Sequence, residues 1–404
     1  MSWVRMDDIC EFLNGGAWSD KEYVASGLPV LKVSNCKNSG FQIEDINYLP
    51  ITSKEKYAKN KLHKGDVIIA TVGSHPNLVE SAAGRSCVVN SLVDGFYLNQ
   101  NAVCLRTKDS DVLNQGYLGY LCKERRFQHF IQNKGKGAAN QMRIAIGGIK
   151  EYEFDLPDID IQRKIATILT AYDALIENNQ KQIKLLEEAA QRLYKEWFLD
   201  LHFPGYEDVK VVDGVPEGWT SGVLGDIAVN SGINEKRENR EKYAYYLPID
   251  CIPKKSLAYT QFNDVSMAES SLVSFKAKDL IFGAMRPYFH KVVIARDKGL
   301  TRSTCFVVNS KNPEFWSYLS MLLFSVDTVN YATRISVGTT MPYVRWKDFI
   351  QMPIIIPSDD IAIAFGEQFS PIINKIMGLA EQNIRLSNSR NCLLPKLMSG
   401  EIEV

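Results

Sequence analysis

Apolar residues recur in alternating steps of four and three along one stretch: Ile165, Leu169, Tyr172, Ile176, Asn179, Ile183, Leu186, Ala190, Leu193 and Trp197. That spacing holds one narrow stripe against a partner and leaves the other faces polar, as the seam of a coiled coil does. No proline falls between Pro157 and Pro204, so the pattern predicts a helix of about 40 residues, roughly 60 Å long. A rod of that length cannot bury its own seam, and one other stretch of the chain fits it. Adding 200 to each position gives Phe365, Phe369, Ile372, Ile376, Leu379, Asn383, Leu386, Arg390, Leu393 and Leu397. Leu156-Pro157 before the first seam returns as Ile356-Pro357 before the second. Whole half-chains repeat.

The polar members of the seam orient the pair. Heptad counting puts Asn179 at d and Asn383 at a, positions that face one another when the helices run antiparallel. That register sets Ile165 on Leu397, Tyr172 on Arg390, Asn179 on Asn383 and Trp197 on Phe365. A parallel pair sets Asn179 on Leu379 and Asn383 on Ile183, and each unpaired buried amide group costs about 1–3 kcal/mol. The antiparallel pairing is therefore expected. Ser370-Pro371 reads as an N-cap followed by the first helical residue, so the second helix is expected to start or kink there.

The rest of each half alternates short β-like runs with turns. Residues 28–33, 66–72, 87–89 and 102–105 read as strands and residues 117–132 as a helix. In the second half, Trp3 and Asp8-Ile9 return as Trp219 and Asp226-Ile227. Leu28-Pro29-Val30 returns as Leu247-Pro248-Ile249, and Gly65-Asp66-Val67-Ile68 as Lys278-Asp279-Leu280-Ile281. The frames match while the contents differ, as in two versions of one recognition module. The fold class expected is α+β: two β-rich α/β domains related by a pseudo-twofold repeat, at residues 1–157 and 204–357. Helical regions at residues 158–203 and 358–404 separate them and form the antiparallel coiled coil.

Composition adds limits rather than detail. With 45% hydrophobic and 23% charged residues the chain is of ordinary globular type. No run approaches the ~18 apolar residues of a membrane span, and no signal-peptide core follows Met1, so a cytoplasmic, membrane-free protein is expected. Eight scattered cysteines without a C-x-x-C read as reduced thiols. Net charge is zero, yet residues 1–157 carry 19 basic against 17 acidic groups and residues 205–357 carry 18 against 16. The sign suits DNA contact by the globular parts, and the size is too small to decide it.

Three stretches carry a family resemblance: Leu156-Pro157 followed by Gln162-Arg163-Lys164-Ile165-Ala166; Leu193-Tyr194-Lys195-Glu196-Trp197-Phe198 leading to Phe203-Pro204 and Pro216-Glu217-Gly218-Trp219; and Leu393-Leu394-Pro395-Lys396-Leu397-Met398-Ser399-Gly400-Glu401-Ile402. With the half-chain repeat, they make the whole chain resemble the specificity subunit of type I restriction-modification systems. It departs from the pattern at Ile161-Gln162, where Glu-Gln is usual, and at Pro371. The resemblance implies two target recognition domains, each reading one half of a split DNA site, with the helices as a fixed ruler. It implies double-stranded DNA and two adenine methyltransferase (modification) subunits as partners, with S-adenosylmethionine on those subunits and no cofactor on this chain. Restriction subunits, an ATP-dependent translocase and nuclease, are a further partner that the sequence leaves open.

No catalytic constellation is visible. Asn312-Pro313-Glu314-Phe315 is similar to the N-P-P-F of adenine methyltransferases but lacks the second proline, and reads as a helix start. No G-x-x-x-x-G-K-[ST] is present, and the five histidines lack metal spacing. Candidate DNA contacts lie on matched loops. In the first half they are Ser74, His75, Asn77, Lys134, Lys136, Asn140, Gln141 and Arg143; in the second, Arg286, Tyr288, Lys291, Arg334, Thr339, Tyr343 and Arg345, with Arg302 weaker. Lysines suit phosphate neutralisation, and Arg143, Arg286, Asn140 and Gln141 have the donor pattern that reads guanine or adenine edges. Solvated loop residues are the plain alternative for each. A stand-alone DNA-modifying enzyme and a structural adaptor that reads no DNA are the competing functions.

Overall fold

The computed structural model describes residues 2–37, 40–43, 46–74, 83–138 and 141–404. It divides into two units, residues 1–174 with 387–404, and residues 175–386. Each unit contains one β-rich domain and a segment of each long helix.

The two domains share a topology. In the first, a four-stranded antiparallel sheet runs Cys10–Asn14, Ala102–Thr107, Val67–Ala70, Ser86–Val88. In the second, the same order is built from Ala228–Asn230, Cys305–Ser310, Leu280–Gly283 and Val292–Ile294. The central strands Val67–Ala70 and Leu280–Gly283 are fully buried, as their unbroken apolar runs require. Each domain is closed by a strand pair that joins its two ends: Ser2–Arg5 with Glu153–Leu156, and Thr220–Val223 with Pro353–Ile356. The turn into each central strand is pinned by a buried aspartate. Asp66 accepts from His63 N and from both ends of the Arg106 guanidinium, and Asp279 accepts from Lys276 N and Asn309 Nδ2.

Some local expectations need correction. The single helix expected over residues 117–132 is two helices, Gln115–Leu121 and Arg125–Asn133, because Glu124 turns back to cap the second through Arg126 N. The stretch Leu247-Pro248-Ile249 is not a strand like Leu28–Leu31 but enters a 3-10 turn, Ile249–Cys251.

The long helices are Ile159–Tyr194, continued by a π turn at Lys195–Leu199, and Asp359–Met398. The second neither starts nor breaks at Pro371. Proline forfeits one backbone hydrogen bond, but Glu367, whose carbonyl loses its donor, is exposed to water. Phe365, Phe369, Ile373 and Ile376 are buried on the opposite face and hold the helix to its packing. Ile373, not Ile372, is the buried member there.

Within each unit the helix segments run in opposite directions. In the unit of residues 175–386, Asn179 Nδ2 donates to Asn383 Oδ1 at 2.9 Å and the Trp197 and Phe365 rings lie 5.7 Å apart. Ile183, Leu379 and Ile376 are buried beside them, with Leu186 and Leu193 half-buried; Ile176 and Leu386 are also half-buried. In the other unit Leu397 shares a core with Ile165 and Leu169, and Leu393 packs on it. One seam contact differs from expectation: Arg390 does not pair with the half-buried Tyr172 but donates to Asp173. The guanidinium reaches one position past the seam to a carboxylate. Burial pushes that carboxyl up, but Lys123, Arg390 and Tyr120 outweigh burial and leave its pKa below the usual range.

Candidate nucleic-acid interface

In each domain the chain leaves the central strand and meets a second stretch some sixty or seventy residues later. In the first domain, Val72–Gly73 pairs antiparallel with Gln141–Arg143, which pairs in turn with Lys136–Ala138. Strand alternation buries Met142 and turns Arg143 outward. Lys136 stands directly opposite Arg143 in that register, and both are exposed. Neither forms an ion pair among the described residues, so two like charges share one face, an arrangement that destabilises a strand pair. Lys134 is committed elsewhere: its ammonium lies 2.7 Å from Glu151 and 5.2 Å from the Phe130 ring centre. That hydrogen bond holds the Glu151 carboxyl below its ordinary range. Ser74 follows directly on the Val72–Gly73 strand and is half-buried. His75, Asn77 and Asn140 lie outside the described residues, and of Gln141 only the backbone is described.

In the second domain, Met285 and Val337 both bridge to Tyr343, and Arg286 N donates to Pro342 O at 2.7 Å. The chain then makes a tight 3-10 turn, Pro287–Phe289, flanked by Arg286 and His290, both left-handed with φ of 50° and 52°. Neither is glycine, and a side-chain-bearing residue held in that region costs about 1–3 kcal/mol. The turn is held by its surroundings. His290 is buried with Nε2 at 2.9 Å from Phe324 O, and burial holds its imidazole below the usual histidine range. Arg286 Nη2 donates to Thr340 O at 3.2 Å, while its Nε is buried without a partner among the described residues. Tyr288 and Tyr343 beside it are 49% and 48% exposed, far more than buried aromatics allow. Thr339 is exposed on the same loop.

Arg286, Tyr288, Thr339 and Tyr343 are thus brought together. Other candidates are engaged elsewhere. Lys291 Nζ donates to Ile249 O at 2.7 Å, and Arg345 pairs with Asp348 at 2.5 Å. Arg334 lies over Tyr331 and lines a groove of about 550 Å³ with Tyr194, Phe198 and Tyr318. Arg302 is exposed at the end of strand Gly299–Arg302, two residues before Thr304, whose carbonyl accepts from Ala284 N and Met285 N. Met341 is 52% exposed on the same loop as Tyr343. Among the described residues no group of three or more His, Cys, Asp or Glu is placed to hold a metal ion, and no helix is long and apolar enough to cross a membrane.

The model of the type I restriction modification DNA specificity domain matches residues 1–188. The chain is 30% identical over 304 residues to the type I restriction enzyme MjaIX specificity subunit of Methanocaldococcus jannaschii, covering 71% of this chain and 69% of that one. It is 22% identical to the HindI specificity subunit of Haemophilus influenzae, covering 85% and 88%. The crystal structure of a type I restriction-modification S subunit from M. genitalium matches over 98% of this chain and 95% of that one, with a TM-score of 0.56 at 16% identity. At that identity the likeness is one of fold.

Proposed function

Because the chain belongs to the family of type I restriction-modification specificity subunits, we propose that it is the non-catalytic, sequence-reading subunit of a DNA-modifying complex. Each globular domain reads one half of an asymmetric bipartite site in double-stranded DNA. The long helices set the gap between the halves and dock two adenine methyltransferase subunits, which carry S-adenosylmethionine and the methyl transfer.

The observation that carries the reading is the exposed Lys136–Arg143 cross-strand pair. Alone the two cations repel. A backbone phosphate between them reverses the sign and releases condensed counterions, which is where most DNA affinity arises. In the second domain the matching position offers Arg286 and Tyr288 on a strained turn, with Tyr343 on the stretch bridged to it. Arginine suits guanine O6 and N7, with about 1–3 kcal/mol of discrimination per bidentate contact. Equal frames with unlike side chains support two different half-sites.

The test is methylome sequencing of cells that express this chain with its methyltransferase partner. The expected result is adenine methylation at one motif of two dissimilar half-sites around a fixed unread gap. Methylation at a continuous motif, or none that depends on this chain, contradicts the proposal.

A further inference from the structure

We infer that residues Lys254 to Tyr259 form a strut through which both long helices position the recognition turn Arg286–His290, with Glu187 and the Arg296–Glu381 pair as its two latches. The inference rests on the proposed DNA-reading function and assigns positioning residues to it.

The first latch comes from the first long helix. Glu187 is 5% exposed, and its Oε1 accepts from Ser256 Oγ and Leu257 N, both at 2.7 Å. The second comes from the other helix. Glu381 lies 2.5 Å from Arg296, whose guanidinium stacks 4.9 Å from the Tyr259 ring centre and whose backbone N donates to Tyr259 Oη at 3.2 Å. The strut itself grips the turn. Lys255 N donates to His290 O at 2.8 Å, and Lys254 Nζ sits 4.8 Å from the Phe289 ring centre. The path from each helix to Tyr288 is therefore one of hydrogen bonds and ring contacts at every joint.

A buried carboxylate facing no cation among the described residues is an expensive way to hold a loop. Burial pushes the Glu187 carboxyl up to about 7. An apolar contact would hold the same loop more cheaply but without direction, whereas hydrogen bonds fix orientation. Orientation matters for a split site. One base pair of added gap moves a half-site by about 3.4 Å and turns it by about 34°. A reader free to follow that motion accepts wrong gaps. The first domain has ties of the same kind from buried Gln162, which accepts from Asn114 N and donates to Val112 O, and from Asp173, which accepts from Tyr120 Oη.

The test uses the full chain assembled with its methyltransferase subunits. Methylation rates are compared on DNA with the wild-type gap and with gaps one base pair shorter and longer. Glu187→Leu is expected to lower the preference for the correct gap about tenfold, equivalent to about 1.4 kcal/mol, while the bases required in each half-site stay the same. Glu187→Gln, which keeps the acceptor, retains the preference. Arg296→Met with Glu381→Ala gives the same loss through the other helix. A folded Glu187→Leu complex that keeps its gap preference, or loses gap and base selectivity in equal measure, overturns the inference. If Glu187→Leu fails to fold, Ser256→Ala removes one donor to the same carboxylate, and an unchanged gap preference there overturns it equally. A wild-type complex with no bipartite motif refutes the proposed function instead.

Discussion

Replacing the two seam asparagines by leucine tests the helix pairing through an asymmetry. Asn179 and Asn383 are 4% and 2% exposed. Asn179 Nδ2 donates both to Asn383 Oδ1 at 2.9 Å and to Gln382 Oε1 at 3.0 Å, whereas Asn383 Nδ2 is buried without a partner among the described residues. Asn179→Leu therefore strands Asn383 Oδ1 beside an amide nitrogen already stranded, and should cost about 1–3 kcal/mol. Asn383→Leu removes the stranded nitrogen along with one hydrogen bond; Asn179 keeps Gln382, and the two effects offset to about zero. The double variant replaces a half-satisfied polar pair with facing leucines and should exceed the wild type by about 1–3 kcal/mol. The expected stability order is Asn179→Leu lowest, wild type and Asn383→Leu close together, and the double variant highest. Urea unfolding followed by far-ultraviolet circular dichroism measures it, with equal slopes making midpoints comparable. An Asn383→Leu variant weaker than Asn179→Leu, or a double variant weaker than the wild type, refutes the reasoning.

Other outcomes follow from the same contacts. Arg286→Ala should lose about 1–3 kcal/mol of discrimination at one base pair of the second half-site only, seen as a relaxed position in the methylated motif. Lys136→Ala should weaken DNA binding by the assembled complex at all sequences and lower the slope of log affinity against log salt by about 0.9, measured by titration at several salt concentrations. Glu187 holds its proton in the folded chain up to about 7 against an ordinary 4.5. The folded state thus binds more protons between those values, and stability falls as pH rises through that window, by at most on the order of 3 kcal/mol. Glu187→Gln should remove that fall, leaving the variant more stable than wild type at pH 8 but not at pH 4; a wild-type midpoint flat over the window contradicts the assignment.

The helices, their direction and the repeated domain frame were legible because each follows from a period. Seams return at a fixed offset, and buried central strands such as Val67–Ala70 and Leu280–Gly283 are unbroken apolar runs. What escaped depends on single side chains reaching across the fold. Nothing near Glu187 marks it as the partner of Ser256, and Arg296 meets Glu381 only because the second domain packs on its helix. Arg390 prefers Asp173 to the aligned Tyr172 because a long cation can leave the seam for a carboxylate. Pro371 misled because its cost depends on whether the freed carbonyl meets water, which sequence does not state. On the candidate interface, the facing of Lys136 and Arg143 is a matter of register between two short strands, Lys136–Ala138 and Gln141–Arg143, in a stretch whose sequence reads as a loop.

The proposed function requires two dissimilar readers to be spaced by the helix pair. Removing one heptad from each helix in register, residues 172–178 together with 384–390, shortens the rods by about 10 Å, close to three base pairs. Methylome sequencing with that variant should return both wild-type half-sites around a shorter gap. An unchanged gap, or half-sites with altered bases, contradicts the account.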